Sequence, residues 1–151
     1  MSKFFFTTRN DGIYKVMNNS ILIHLKNKTK KNFILKKIDI QKKDFVTLSG
    51  IFFLIKIFFK KYFFNDHAYQ KISYENINIG RHALAYTFRD YKSYISYFLK
   101  FRNKLKYLLV GHALIKFGIK NEKNIFGAYL DHGPYINGVL FQYLVKKKKN
   151  V

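Results

Sequence analysis

The chain has 151 residues, enough for one domain or one domain with an extension, and too few for two full domains. Its 29 Lys+Arg against 8 Asp+Glu leave a formal charge of +21, so the compact chain repels itself unless a polyanion neutralises it, and a phosphate-dense partner is the first expectation. A hydrophobic fraction of 48%, with 17 Phe and 12 Tyr, excludes a wholly disordered basic tail, and the absence of Cys excludes disulfides, thiolate metal sites and cysteine catalysis.

The excess of Phe, Ile, Lys, Asn and Tyr, all served by A+T-rich codons, points to an A+T-rich genome such as that of an organelle. The opening "MSKFFFTTRNDG" has neither an apolar core with a cleavage site nor a sustained Arg-rich amphipathic pattern, as expected of a chain made inside the organelle where it works.

In chain order, "SILIHL" (residues 20–25) and "NFILKKIDI" (32–40) read as short strands separated by a charged linker. Residues 45–64, "FVTLSGIFFLIKIFFKKYFF", are the most apolar stretch. Lys56, Lys60 and Lys61 interrupt it, leaving less than the ~20 residues a bilayer-crossing helix needs. A charge near the centre of such a helix costs about 3 kcal/mol, so a core helix or buried strand is expected and a membrane partner is not. Residues 65–80 turn polar and read as a loop, with a boundary near residues 81–90.

From residue 91 a helical period emerges. Tyr94, Ile95, Phe98, Leu99, Arg102, Leu105, Leu108 and Leu109 fall at steps of three and four, with Lys92, Lys100, Lys104 and Lys106 on the remaining faces. This predicts a long amphipathic helix with a basic side, broken at Gly111. A short helix then ends at Gly118, and a second is capped by Asn121, with Glu122 in its first turn. Asp131, His132, Gly133 and Pro134 form an exit turn. Asn137-Gly138 closes a hairpin whose strands start at Tyr135 and return over residues 139–145, because both turn positions tolerate positive φ. Lys146 to Lys149 are read as a flexible tail.

Read together, "IKFGI" (115–119) and "DHGPYING" (131–138) resemble two landmarks of the RNA-binding domain of the small-subunit ribosomal protein four family. In that family a helix ending in Tyr-Arg-x-Gly-Phe is followed by a second helix, then His-Gly-His-x-x-Val-Asn-Gly and a hairpin. Lys116 stands at the basic position, Gly118 at the glycine, and one residue fewer separates the His-Gly from the Asn-Gly. The family's Arg-Leu-Asp would fall on "LVG" (109–111), and its Ala-Arg-Gln is not found near Phe126 and Gly127. The resemblance implies an α+β fold: residues 1–90 as a divergent N-terminal extension, 91–146 as the RNA-binding domain of two short helices and a β-hairpin after a long basic helix, and 147–151 as a basic tail.

The RNA-contacting candidates are Arg102, Lys104, Lys106, Lys116, Lys120, Lys123, Asn124, Lys146, Lys147 and Lys148, with His112, His132 and Asn137. Lysines suit this role because they neutralise phosphates and release counterions. For Lys116, Lys120 and Lys123 the competing reading is an ordinary solvated face. His112 and His132, beside apolar residues, are packed or capping side chains first and RNA contacts second, and Asn137 is turn chemistry first.

Catalysis is not expected. The carboxylates Asp11, Asp39, Asp44, Asp66, Glu75, Asp90, Glu122 and Asp131 are scattered, the five histidines do not recur at metal-ligand spacing, and no Gly-rich phosphate loop follows a strand. No cofactor and no small-molecule substrate are expected. The leading expectation is a structural constituent of the mitochondrial ribosome's small subunit, partnered by ribosomal RNA and neighbouring ribosomal proteins. The alternatives are a small basic accessory subunit of an organellar inner-membrane complex anchored by residues 45–64, and an organelle-specific ribosomal protein of another family.

Overall fold

The computed structural model describes residues 3–7, 11–38, 42–60, 62–89, 96–129 and 136–149. Strand β1 (Lys3–Thr7) is an aromatic run with Phe5 and Phe6 buried. Helix α1 (Gly12–Thr29) follows Asp11, whose carbonyl accepts from the Tyr14 and Lys15 amides at 3.0 and 3.3 Å. It ends at Lys30 in the left-handed conformation (φ 58), with Lys26 and Lys28 facing the negative end of the helix dipole. Strand β2 (Phe33–Lys37) pairs with β1 in parallel, making α1 the crossover.

Two short helices come next, α2 (Lys42–Phe45) and α3 (Leu48–Phe58), the latter capped by Thr47 Oγ1 accepting from the Gly50 amide at 3.2 Å. Helix α4 (Asp66–Tyr69) is capped by Asn65. Strands β3 (Ser73–Tyr74) and β4 (Ile77–Asn78) form a tight hairpin through Glu75 and Asn76, both with positive φ (51 and 58). Helices α5 (Ile79–Arg89) and α6 (Tyr97–Asn121), strand β5 (Ile125–Tyr129) and helix α7 (Gly138–Lys146) complete the fold.

The main sheet has the order β2-β1-β5, all parallel, with Phe4 between Ile34 and Ile125. A sheet strand covered on both faces reads as a continuous apolar run, as "FFF" does here. The core lies where α5, α6 and α7 meet, and Ile79, Leu108, Ile115 and Val139 are fully buried. Helices α6 and α7 run side by side in the same direction: Gly111 faces Ile136, Gly118 faces Tyr143, and Glu122 reaches Tyr143 and Lys147. At Gly118 a Cβ would lie 2.6 Å from the Tyr143 ring, so only glycine permits this approach.

The fold is mixed α+β, as expected, but several elements differ. Residues 20–25 lie inside α1, because Tyr14, Asn18, Ile21, Leu22, Leu25 and Thr29 form one inward stripe at helical spacing that a six-residue window hides. The strand expected over residues 32–40 is β2, observed at Phe33–Lys37. The polar stretch 65–80 holds α4 and the β3–β4 hairpin, and the boundary expected near residues 81–90 falls within α5, which packs on α6. The N-terminal extension and C-terminal domain share one sheet and one core.

The helix, helix, hairpin unit does not form. Helix α6 runs unbroken through Gly111 and Gly118, both buried contact points, because a helix supported by packing on both sides tolerates glycine. Asn121 ends α6, its Nδ2 donating to the Phe117 carbonyl at 2.8 Å, and the expected second helix contains β5 instead. The hairpin return strand is α7: Val139, Leu140, Tyr143 and Leu144 are buried at helical spacing, and Asn137 is right-handed (φ −65, ψ −24), its carbonyl accepting from the Leu140 and Phe141 amides. Asn-Gly permits the left-handed conformation without requiring it. The exit turn at residues 131–135, His132 included, lies outside the described residues. Lys147 to Lys149 form a bonded helix terminus, with the Lys149 amide donating to the Leu144 carbonyl at 2.9 Å, so the tail read for these positions is a cap.

Candidate nucleic-acid interface

The expected basic side of α6 is divided. Arg102, Lys106, Lys116 and Lys120 share one face and are exposed, but Leu109 and Ala113 between them are buried. There α2 and α3 cross α6, and Gly50 allows the approach: a Cβ would lie 3.0 Å from Leu109 Cδ2. Two cationic ends, roughly 15 Å apart along the axis, replace one continuous stripe.

Lys104 is not on the surface at all. It is 5% exposed, with Nζ 2.5 Å from Asp66 Oδ1, 3.3 Å from the Phe63 carbonyl and 4.8 Å from the centre of the Tyr69 ring. Lys100 holds the other Asp66 oxygen at 2.6 Å. Burial would raise the Asp66 carboxyl, but the hydrogen bonds and charges of these two lysines outweigh it and hold the carboxyl below its usual range. Tyr69 donates to the Lys104 carbonyl at 2.8 Å, and burial, with the Asp66 charge, raises its phenol well above the ordinary value. The helical period places Lys104 correctly but does not report this buried acid, so its RNA-contact assignment is withdrawn.

His112 is 2% exposed, stacked on Phe53 with ring centres 5.0 Å apart and tilted against Tyr74 at 4.5 Å. Burial lowers its pKa to about 4, with the Lys116 charge adding to the effect, so the imidazole is neutral near pH 7.

These three rings line one side of a cleft of about 540 Å³ between α3 and the β3–β4 hairpin. Phe52, at its mouth, is 68% exposed. Lys56 in the last turn of α3, Lys60 two residues beyond its end, and Lys71, just before β3, supply a cationic rim, and their ammonium groups make no hydrogen bond or ion pair among the described residues. The sequence reads this segment as core, with a membrane anchor as the alternative, and not as an RNA contact. The missed signal was the lysine pair four residues apart inside an aromatic run, which brings both charges to the C-terminal end of α3.

Glu75, at the hairpin tip, lines both this cleft and a second hollow of about 270 Å³ at the C-terminal ends of α6 and α7. There Lys146 Nζ donates to the Glu75 carbonyl at 3.0 Å, and Lys147 Nζ lies 3.4 Å from Glu122 Oε2. Lys148 is exposed beside them with positive φ (54). A hydrogen bond from Tyr143 at 2.8 Å, outweighing the opposing effect of burial, holds the Glu122 carboxyl below its usual range, with Lys147 and Lys149 acting in the same direction. Lys123 is exposed in the turn before β5. Asn124 is half-buried with its Oδ1 enclosed and unpartnered among the described residues, and Asn137 is half-buried at the start of α7.

The remaining face of α3 is apolar. Leu48, Ile51, Ile55, Phe58 and Phe59 point away from the core, Phe59 being 82% exposed. At 11 residues α3 is far shorter than a bilayer span, and among the described residues no helix is long and apolar enough to cross a membrane. Among them too, no group of three or more His, Asp or Glu is placed to hold a metal ion. No protein-family model, no curated protein and no solved structure matches this chain.

Proposed function

We propose that this chain is a structural RNA-binding protein, a constituent of the small subunit of the mitochondrial ribosome, with no catalytic role. The observation that carries the reading is a charge of +21 on a folded chain, joined to an aromatic cleft whose rim lysines make no ion pair among the described residues. Phosphates satisfy those cations and release counterions, and the α5–α6–α7 core fixes the lysines in place. The contact surface runs from Lys56, Lys60 and Lys71 around the Glu75 tip to Lys146 and Lys147, with Lys116 and Lys120 one helical face away. The A+T-rich composition favours an organellar ribosome. The placement in the small subunit comes from the resemblance of residues 115–119 and 131–138 to the ribosomal protein four family alone, and the hairpin which that resemblance implies is α7.

The outward apolar face of α3 is the surface this reading assigns to a neighbouring protein of the particle, since apolar area of this kind is covered in assemblies. Filter binding of the full chain to mitochondrial small-subunit ribosomal RNA tests the proposal. Affinity should fall by orders of magnitude between 50 and 200 mM salt, about as expected for several phosphate contacts. Affinity indifferent to salt, or sedimentation of the native protein away from the small subunit, overturns it.

A further inference from the structure

We infer that the cleft between α3 and the β3–β4 hairpin takes an unpaired nucleobase, so that the chain recognises single-stranded rather than duplex RNA. This rests on the RNA-binding reading and adds which form of RNA is held.

The two zones of the cleft have different chemistry. Its rim, formed by Lys56, Lys60 and Lys71, suits phosphate, and a flat array of the same lysines would serve a duplex equally well. Its interior does not serve a duplex. A paired base is enclosed in its own stack, and side chains cannot read the narrow major groove of A-form RNA. A base splayed out of a loop or strand presents a flat π face, which aromatic rings bind at about 1–3 kcal/mol per base.

Phe52 is the ring at the entrance, a large apolar side chain left in water beside three cations. Behind it Phe53 stacks on His112 and Tyr74 meets both rings at an angle, so the interior is already packed in place and costs little ordering when a ligand arrives. The volume of about 540 Å³ lies in the range of small-molecule pockets and exceeds what a bare phosphate needs. Glu75 at the far edge places a carboxylate where an exocyclic amino group can donate, and the same charge repels a second phosphate. The strand therefore runs past the C-terminal end of α3, between Lys56 in its last turn and Lys60 just beyond it, with one base turned inward.

The experiment uses the full chain with a single-stranded oligoribonucleotide carrying one central 2-aminopurine, and the same strand annealed to its complement, at equal salt. The expected result is tighter binding of the single strand by about tenfold or more, with quenching of 2-aminopurine fluorescence as it stacks. Phe52→Leu should lower single-strand affinity by about tenfold and remove most of the quenching. Phe98→Leu, another exposed Phe remote from the cleft, should change neither. Equal affinity for strand and duplex, or an unquenched probe in the bound complex, overturns the base pocket and leaves RNA binding standing. If neither RNA binds in a salt-dependent way, the RNA-binding reading fails and this inference fails with it.

Discussion

Lys104 Nζ sits 2.5 Å from Asp66 Oδ1, joining the long helix α6 to the short helix α4 at the floor of the core. Asp66→Asn leaves the ammonium buried without its counter-charge. Because the Asp66 side chain is 37% exposed, the cost falls below that of a fully buried pair, at about 2 kcal/mol. Lys104→Met, which removes the charge and keeps the volume, should stay within about 1 kcal/mol of the parent. Urea denaturation of both variants checks the contrast.

Stability should fall with acid in two windows. His112 titrates near 6.5 when unfolded and at about 4 when folded, so between those values the unfolded chain binds a proton that the native state refuses. The native state therefore loses stability as pH drops from 6.5 to about 4. Asp66 is held below 3.8, so its contribution is present above that value and is lost beneath it. Denaturation midpoints across pH should show both declines. His112→Gln should flatten the upper one and Asp66→Asn the lower.

Each lysine on the cleft rim that meets a phosphate of a single strand contributes about 0.7 to the slope of log affinity against log salt. Replacing Lys56, Lys60 and Lys71 together by Gln should reduce that slope by about 2 without shifting the denaturation midpoint, since all three are exposed. An unchanged slope would place the RNA elsewhere on the chain.

Gly118 is a contact point between α6 and α7, where an added Cβ would sit 2.6 Å from the Tyr143 ring. Gly118→Ala should therefore destabilise by about 2 kcal/mol, although alanine is the better helix former. A midpoint raised by this substitution would show that the two helices are not in register as described.

Phe59 projects outward from the end of α3. Phe59→Gln should leave the denaturation midpoint within about 0.5 kcal/mol of the parent and raise the solubility limit of the isolated chain, read by light scattering during concentration.

The sequence conveyed period better than partner. The step of three and four after residue 91 found α6, and the apolar run at Phe33 to Leu35 found β2, because each element is long or apolar enough to carry its own signal. Asn137-Gly138 misled because a residue pair that tolerates a tight turn was taken to impose one, whereas the buried stripe from Val139 to Leu144 settles the conformation by packing. The real hairpin tip, Glu75-Asn76, carries a weaker turn signal. Lys104 was lost for a different reason: charge on a helix face is visible in one dimension, but an acid 38 positions earlier that draws it inward is not.

The parallel pairing of β1 with both β2 and β5 has a consequence for biogenesis. The central strand β1 is translated well before its partner β5, with α1 to α6 made between them. Until β5 emerges, an aromatic edge with unsatisfied amides and carbonyls stands open to pairing with other nascent copies. Production of this chain should therefore depend on slow elongation or on a chaperone shielding β1 until β5 is made.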